Sequence, residues 1–129
     1  MKKTLIAALL ALAPTALAAD PALGIWQTEV DDGSFALIDV HMCGQKICGT
    51  ISRTFYADGR EYQSPNIGRD IAIDMVPDGE GRYFGRGWQP SKDRFFKNGR
   101  MVLNGDKLEL EGCVAKNFIC VGQTWTRLQ

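Results

Sequence analysis

Ile119-Cys120-Val121-Gly122-Gln123-Thr124-Trp125-Thr126-Arg127 alternates strictly: Ile119, Val121, Gln123, Trp125 and Arg127 share one face, with Cys120, Gly122, Thr124 and Thr126 on the other. Period-two alternation in a run rich in β-branched and aromatic residues predicts a half-buried strand. Such a strand at the end of a chain needs a neighbour on each side. One is the strand that precedes it. The other is the first strand, around Gly24-Ile25-Trp26, and that pairing closes the sheet on itself.

Working outward, turn residues divide the rest of the chain into further strands. They are expected over Leu23–Val30, Ser34–Cys43, Ile47–Tyr56, Asp70–Val76, Arg82–Trp88, Arg94–Leu103 and Lys107–Cys113. The punctuation is Asp31-Asp32-Gly33, a long polar stretch from Ala57 to Gly68, Pro77-Asp78-Gly79, and Asn104-Gly105, a strong hairpin signal. About eight antiparallel strands joined in sequence predict an all-β, single-domain, up-and-down barrel, in which closure removes both exposed edges. Tight turns and both termini gather at one end. The longer loops (Asp31–Gly33, Ala57–Gly68, Gln89–Asp93 and Val114–Phe118) gather at the other.

The first residues are expected to be an export signal instead of part of the fold. Lys2 and Lys3 precede an apolar run, Leu5–Leu12, too short to span a bilayer, and Ala16-Leu17-Ala18 is a small-x-small cleavage site. Cleavage after about Ala18 leaves residues 19–129, enough for one domain. Without the two lysines, the even count of 15 basic and 15 acidic residues becomes a slight acidic excess. That balance argues against nucleic acid or an anionic membrane surface as a partner. No membrane insertion is expected, and the protein is placed in the periplasm or outside the cell. In an oxidising compartment, four cysteines favour disulfides over a metal site, and their spacings do not match zinc patterns. No metal or other cofactor is expected.

Of the three possible connectivities, the local one, Cys43–Cys48 with Cys113–Cys120, gives a consistent register. Placing Cys43 opposite Cys48 pairs Val40 with Ile51 and Ile38 with Arg53. It collects Ala36, Ile38, Val40, Met42, Ile51 and Phe55 on one face, with Asp39, His41, Thr50 and Ser52 on the other. Placing Cys113 opposite Cys120 pairs Leu110 with Gln123 and Leu108 with Trp125. A two-residue Asn104-Gly105 turn then pairs Met101 with Leu108 on the same apolar side. A one-residue slip would invert each face.

Gly24-Ile25-Trp26 with Arg127 resembles the lipocalin and calycin signature, in which a tryptophan plugs the closed end and an arginine lies across it. Trp125 would join them. The wider set, namely Cys48-Gly49-Thr50-Ile51, Ile67-Gly68, Gly112-Cys113 and Ile119 through Arg127, resembles the small exported bacterial proteins known as DUF2147, over nearly the whole mature chain. The resemblance implies a lipocalin-like barrel and no established activity. The chain departs from the family at Gln89-Pro90, where members tend to have Asp-Pro. Its first loop is also too short for a lipocalin lid, a task left to Ala57–Gly68.

The expected inward set is Ile38, Val40, Ile51, Phe55, Met101, Leu110 and Val121, with polar Arg53 and Gln123. It reads either as a plain core or as a small apolar cavity with a few polar groups, in which Arg53 would meet an anionic head group. Gly85 and Gly87 leave room if they face inward; Phe84, Arg86 and Trp88 fill it if they do. The sequence leaves that register open. Asp39, His41 and Ser52 share a face, but a flat outer sheet offers no oxyanion cleft, and cross-strand polar pairing accounts for them. No enzyme is expected. Tyr56, Tyr62, Trp88 and Phe118 are placed near the broad end. Two functions follow. One is binding of a small lipophilic ligand in the barrel mouth. The alternative is an envelope protein-binding or inhibitor module that acts through its loops over a filled core.

Overall fold

The computed structural model describes residues 19–116 and 118–129; the expected export signal lies outside them. The chain forms β1 (Gly24–Gln27), β2 (Ser34–Cys43), β3 (Lys46–Tyr56), β4 (Glu61–Tyr62), β5 (Asp70–Pro77), β6 (Arg82–Gln89), β7 (Arg94–Asn104), β8 (Lys107–Val114) and β9 (Ile119–Arg127), with one 3-10 turn at Pro90–Lys92. All ladders are antiparallel. The order β2-β1-β9-β8-β7-β6-β5-β3 is closed by β2–β3, so eight strands make a barrel and the two-residue β4 extends its wall. Among the described residues no helix is long and apolar enough to cross a membrane.

The closed end is packed solid. Trp26, Ile38, Val40, Met101, Leu108 and Trp125 are all buried there. Trp26 donates its indole N–H to the Ala22 carbonyl at 2.9 Å, and the Arg127 guanidinium lies 4.3 Å from the Trp26 ring centroid. Arg127 also donates to the carbonyls of Leu23 and Pro21. The two chain ends meet through Ile25 N–H to Gln129 O at 2.9 Å and Leu128 N–H to Ile25 O at 2.8 Å. Gly24 has φ +139°, and a Cβ there would collide with the Gln129 carbonyl, so only glycine fits this crossing. Nearby, the buried Tyr83 hydroxyl donates to Asp20 at 2.6 Å; burial and that carboxylate push the phenol well above its ordinary pKa.

Both disulfides form as expected, and the β8–β9 register pairs Cys113 with Cys120, Leu110 with Gln123 and Leu108 with Trp125. Two other registers differ from expectation by two residues. Gly44, at φ +71°, and Gln45 make a two-residue turn, so Cys43 faces Lys46, His41 faces Cys48, Val40 faces Gly49 and Ile38 faces Ile51. Cys43–Cys48 is therefore a diagonal bond with Cα atoms 5.8 Å apart; the right-handed twist of a hairpin draws one diagonal together. Likewise the β7–β8 turn is Gly105-Asp106, with positive φ only at the glycine, and Met101 pairs with Leu110, not Leu108. A two-residue shift preserves the face, so the apolar sides survive. Met42, at the hairpin tip, does not stay covered and is 48% exposed.

A bulge corrects the rest of β3. Ile38 pairs with Ile51 and Leu37 with Arg53, leaving Ser52 as the extra residue. Beyond it the alternation inverts. Thr54 turns inward and is buried, whereas Arg53 and Phe55, expected inside, lie on the outer face. Arg53 forms a bidentate pair with Glu61 (2.9 and 2.6 Å) and covers the Phe55 ring, which stacks on Phe35 at 5.1 Å. The Arg53 guanidinium holds the Glu61 carboxyl below its usual pKa.

Each disulfide closes a short loop, with sequence separations of 5 and 7. Chain-entropy arguments assign such loops about 2 kcal/mol apiece. Reduction is expected to lower Tm by roughly 10 °C per bond while leaving a cooperative fold. Loss of the unfolding transition on reduction, followed by near-ultraviolet circular dichroism, would contradict this.

Candidate functional site

At the opposite end the barrel is not filled. Two adjoining hollows, about 280 and 300 Å³, share Glu29, Asp31, Ile71, Pro90 and Gln123. The first lies against β6–β9, with Met75, Phe96, Leu110 and Val121 as apolar walls and Trp125 in its lining. The second lies against β2 and β3, lined by Phe35, Ala36, Ile51 and Thr54.

Local sequence explains the space. β6 places Tyr83, Gly85 and Gly87 inward, while Phe84 and Arg86 face solvent. Gly85 leaves no room, because a Cβ there would meet Ile73 O, Asp74 O and Met75 Sδ at 2.6–2.9 Å. Gly87 does leave room: its nearest neighbours to such a Cβ are 3.6 and 4.0 Å away. On β7, Gly85 pairs with Gly99 but Gly87 with Phe96, so the extra residue at Lys97-Asn98 brings Phe96 inward as well as Gly99 and Met101. The Phe96 ring lies flat over Gly112, where a Cβ would come within 2.5–2.9 Å of it.

The wall is parted beside the first hollow. β1 and β9 pair only through Trp26–Arg127 and Gln27–Thr126. Beyond that the strands diverge, and the Glu29 carboxylate accepts the Thr124 N–H at 2.6 Å in place of a ladder bond. Residues 119–123 of β9 thus have β8 as their one ladder partner among the described residues. Across the mouth, Ser91 donates to Asp31 at 2.7 Å and ties the β1–β2 turn to the β6–β7 turn.

The long loop is not a free lid. β4 pairs with Thr54 and Phe55, Gly68 N–H donates to Ile51 O at 2.8 Å, and Ile51 N–H to Arg69 O at 2.9 Å. Ser64, Asn66 and Tyr62 then form the side of the second hollow. Tyr56 stacks on Tyr62 with centroids 4.2 Å apart. Trp88 is buried at the rim beneath Arg69, 3.5 Å from its ring centroid, and donates Nε1–H to Asp93 at 2.9 Å. Phe118 is 87% exposed.

Of the expected inward residues, Leu110, Val121 and Gln123 line the first hollow, and Ile51 and Gln123 the second. The Gln123 amide oxygen accepts the Trp125 Nε1–H at 2.7 Å. Ile38, Val40 and Met101 are in the solid half, and Arg53 and Phe55 are outside. Sequence reading missed Glu29, Gln89, Phe96 and Thr54. Alternation alone cannot find three of them, because bulges bring Thr54 and Phe96 inward and divergence from β9 frees Glu29; Gln89 follows by alternation from Gly87 once the β6 register is known.

The shared face of Asp39, His41 and Ser52 does not assemble as a cluster. His41 Nε2 bonds Thr50 Oγ1 at 2.8 Å, Thr50 donates to Asp70 at 2.6 Å, and Ser52 donates to the Leu37 carbonyl at 3.0 Å. This cross-strand chain joins β2, β3 and β5 on the outer face. The groupings of possible metal ligands among the described residues, Cys43/Cys48/Asp74 and Glu111/Cys113/Cys120, both use disulfide sulfurs, which carry no thiolate.

A closed, up-and-down β-barrel with a tryptophan plug under a crossing arginine and an open hollow end is a lipocalin-like barrel. The chain belongs to the bacterial family described as "Uncharacterized protein conserved in bacteria (DUF2147)", whose profile matches residues 24–127. It is similar in structure to protein HP1028 from Helicobacter pylori, described as belonging to the lipocalin family. The TM-score is 0.60 at 18% identity, covering 83% of this chain and 82% of that one. No curated protein matches the sequence. The two disulfides and the bacterial family are compatible with an extracytoplasmic protein.

Proposed function

We propose that this protein is an exported, non-enzymatic carrier, released into the periplasm or beyond by a signal cleaved near Ala18, that holds a small lipophilic molecule in the open half of its barrel. The half-filled interior carries this reading: a solid floor of buried Trp26, Trp125 and Met101 beneath two adjoining hollows of about 280 and 300 Å³. Together they reach the size usual for small-molecule sites; the first has an apolar wall of Met75, Phe96, Leu110 and Val121, and the second is lined largely by polar residues. The parted β1–β9 seam offers a lateral way in.

The test is saturable binding of the neutral fluorescent dye N-phenylnaphthylamine, compared with Val121→Trp, which places an indole in the first hollow. Binding should weaken at least about tenfold, a change of 1.4 kcal/mol, with Tm unchanged or higher because the hollow is filled. Equal dye binding by the variant, or no saturable binding by the native protein at high micromolar concentration, would remove the carrier reading. A protein-binding module is the second reading. It draws on exposed Phe118 and Ile119, beside the stretch of β9 that forms no ladder with β1, an edge at which an added strand would pair.

A further inference from the structure

The two adjoining hollows offer different chemistry. The first presents the apolar wall of Met75, Phe96, Leu110 and Val121. The second is lined by hydroxyls, amides and carboxylates, among them Ser34, Ser64, Asn66 and Asp32. Ser34 arrives there because it shares the inward face of β2 with Ala36 and Ile38, and the loop after β4 brings Ser64 and Asn66. Ser64 Oγ accepts the Asn66 N–H at 3.0 Å, which leaves the hydroxyl proton to donate. The Tyr62 ring, stacked on Tyr56, adds an aromatic surface to the same lining. Gln123 stands where the hollows meet and lines both. The Trp125 indole N–H can only donate, so the Gln123 oxygen is the atom that faces it at 2.7 Å. What Gln123 keeps for a ligand at the junction is its NH2, which only donates. The boundary between the apolar and polar hollows thus calls for an accepting oxygen.

We propose that the ligand is an uncharged amphiphile with a sugar head, its tail in the first hollow and its sugar ring in the second. The inference rests on the carrier reading and specifies its ligand class. The oxygen that links head to tail accepts from the Gln123 NH2. Hydroxyls both donate and accept, so they match a lining that mixes the Asp32 carboxylate, the Asn66 amide and the Ser34 and Ser64 hydroxyls. The C–H face of the ring packs on Tyr62, and a hollow of about 300 Å³ holds a single sugar ring. Charged heads fit less well. An ammonium cannot accept from Gln123 or Ser64. A carboxylate would lie near Glu29, Asp31 and Asp32 with no Arg, Lys or His in the second lining among the described residues. Arg100, in the first lining, is already paired with Glu111, and Arg53 is outside, held by Glu61.

The experiment displaces N-phenylnaphthylamine from the native protein with four ten-carbon competitors, decyl β-glucoside, decanol, decanoate and decylamine, each below its aggregation concentration. The tails are equal, so differences report the head. The glucoside is expected to compete at least about tenfold better than decanol, and better than either charged competitor. The same series is run on Ser34→Ala/Asn66→Ala, which keeps every backbone bond of the strand and loop. The readout is the ratio of glucoside to decanol within each protein, so a general loss of affinity cancels. That ratio should fall at least about fivefold in the double variant. Equal or better displacement by decanol overturns the sugar head and leaves the carrier reading standing, as does a lead for decanoate or decylamine. An unchanged ratio in the double variant overturns the assignment of the head to the second hollow. Dye binding with no displacement by any of the four also overturns the ligand class, whereas no dye binding at all removes the carrier reading itself.

Discussion

Trp26→Ala is expected to cost about 3–5 kcal/mol, enough to bring a domain of ordinary stability close to unfolding. Trp26 is fully buried, and its indole is fixed on three sides: the Ala22 carbonyl at its N–H, the Arg127 guanidinium over its ring, and the packed Ile38 and Trp125 around it. The closed end has no way to collapse into the gap, because Gly24 already lies against the Gln129 carbonyl and the chain ends are bonded to each other. Removing the ring also leaves the Arg127 cation without its aromatic face. Chemical denaturation of the variant measures the loss. A change below about 1 kcal/mol would mean that the tryptophan plug does not anchor the barrel.

Gly112→Ala should separate binding from folding. A Cβ at this position comes within 2.5–2.9 Å of the Phe96 ring, so the ring must move, and the space available to it is the first hollow. Overpacking of this kind costs about 1–3 kcal/mol in a filled core; here the hollow accepts the ring, and the loss should fall at the lower end. On the carrier reading, dye affinity should drop about tenfold or more because the displaced ring occupies the ligand's volume. Adding Phe96→Ala should restore binding, a non-additive rescue expected only of residues in contact. Unchanged affinity in Gly112→Ala, with Tm near native, would show that ligand does not enter beside Phe96.

The charge of the second hollow's lining depends on one inversion. Before the bulge at Ser52, β3 follows the alternation of its sequence; after it, Thr54 is inside and Arg53 outside. Without the bulge, Arg53 would enter the second hollow and favour an anion. With it, Arg53 stays outside, and the acidic residues Glu29, Asp31 and Asp32 line the mouth. One inserted residue changes the sign of the site.

Alternation along Ile119–Arg127, the cysteine spacing and the Gly24-Ile25-Trp26 signature determined the barrel, its closing pair, both disulfides and its plugged end. These are legible because strand periodicity and short-range bonds are local properties of the chain. Even where the Gly44 and Gly105 turns moved the hairpins by two residues, the inward faces held, since a shift of two preserves side-chain direction. Only the tertiary structure decided where the interior is solid and where it is hollow. Bulges in β3 and β7, the parting of β1 from β9, and Phe96 lying across Gly112 all arise from how neighbouring strands twist and match lengths. Each depends on partners distant in sequence, and no single strand encodes its own bulge.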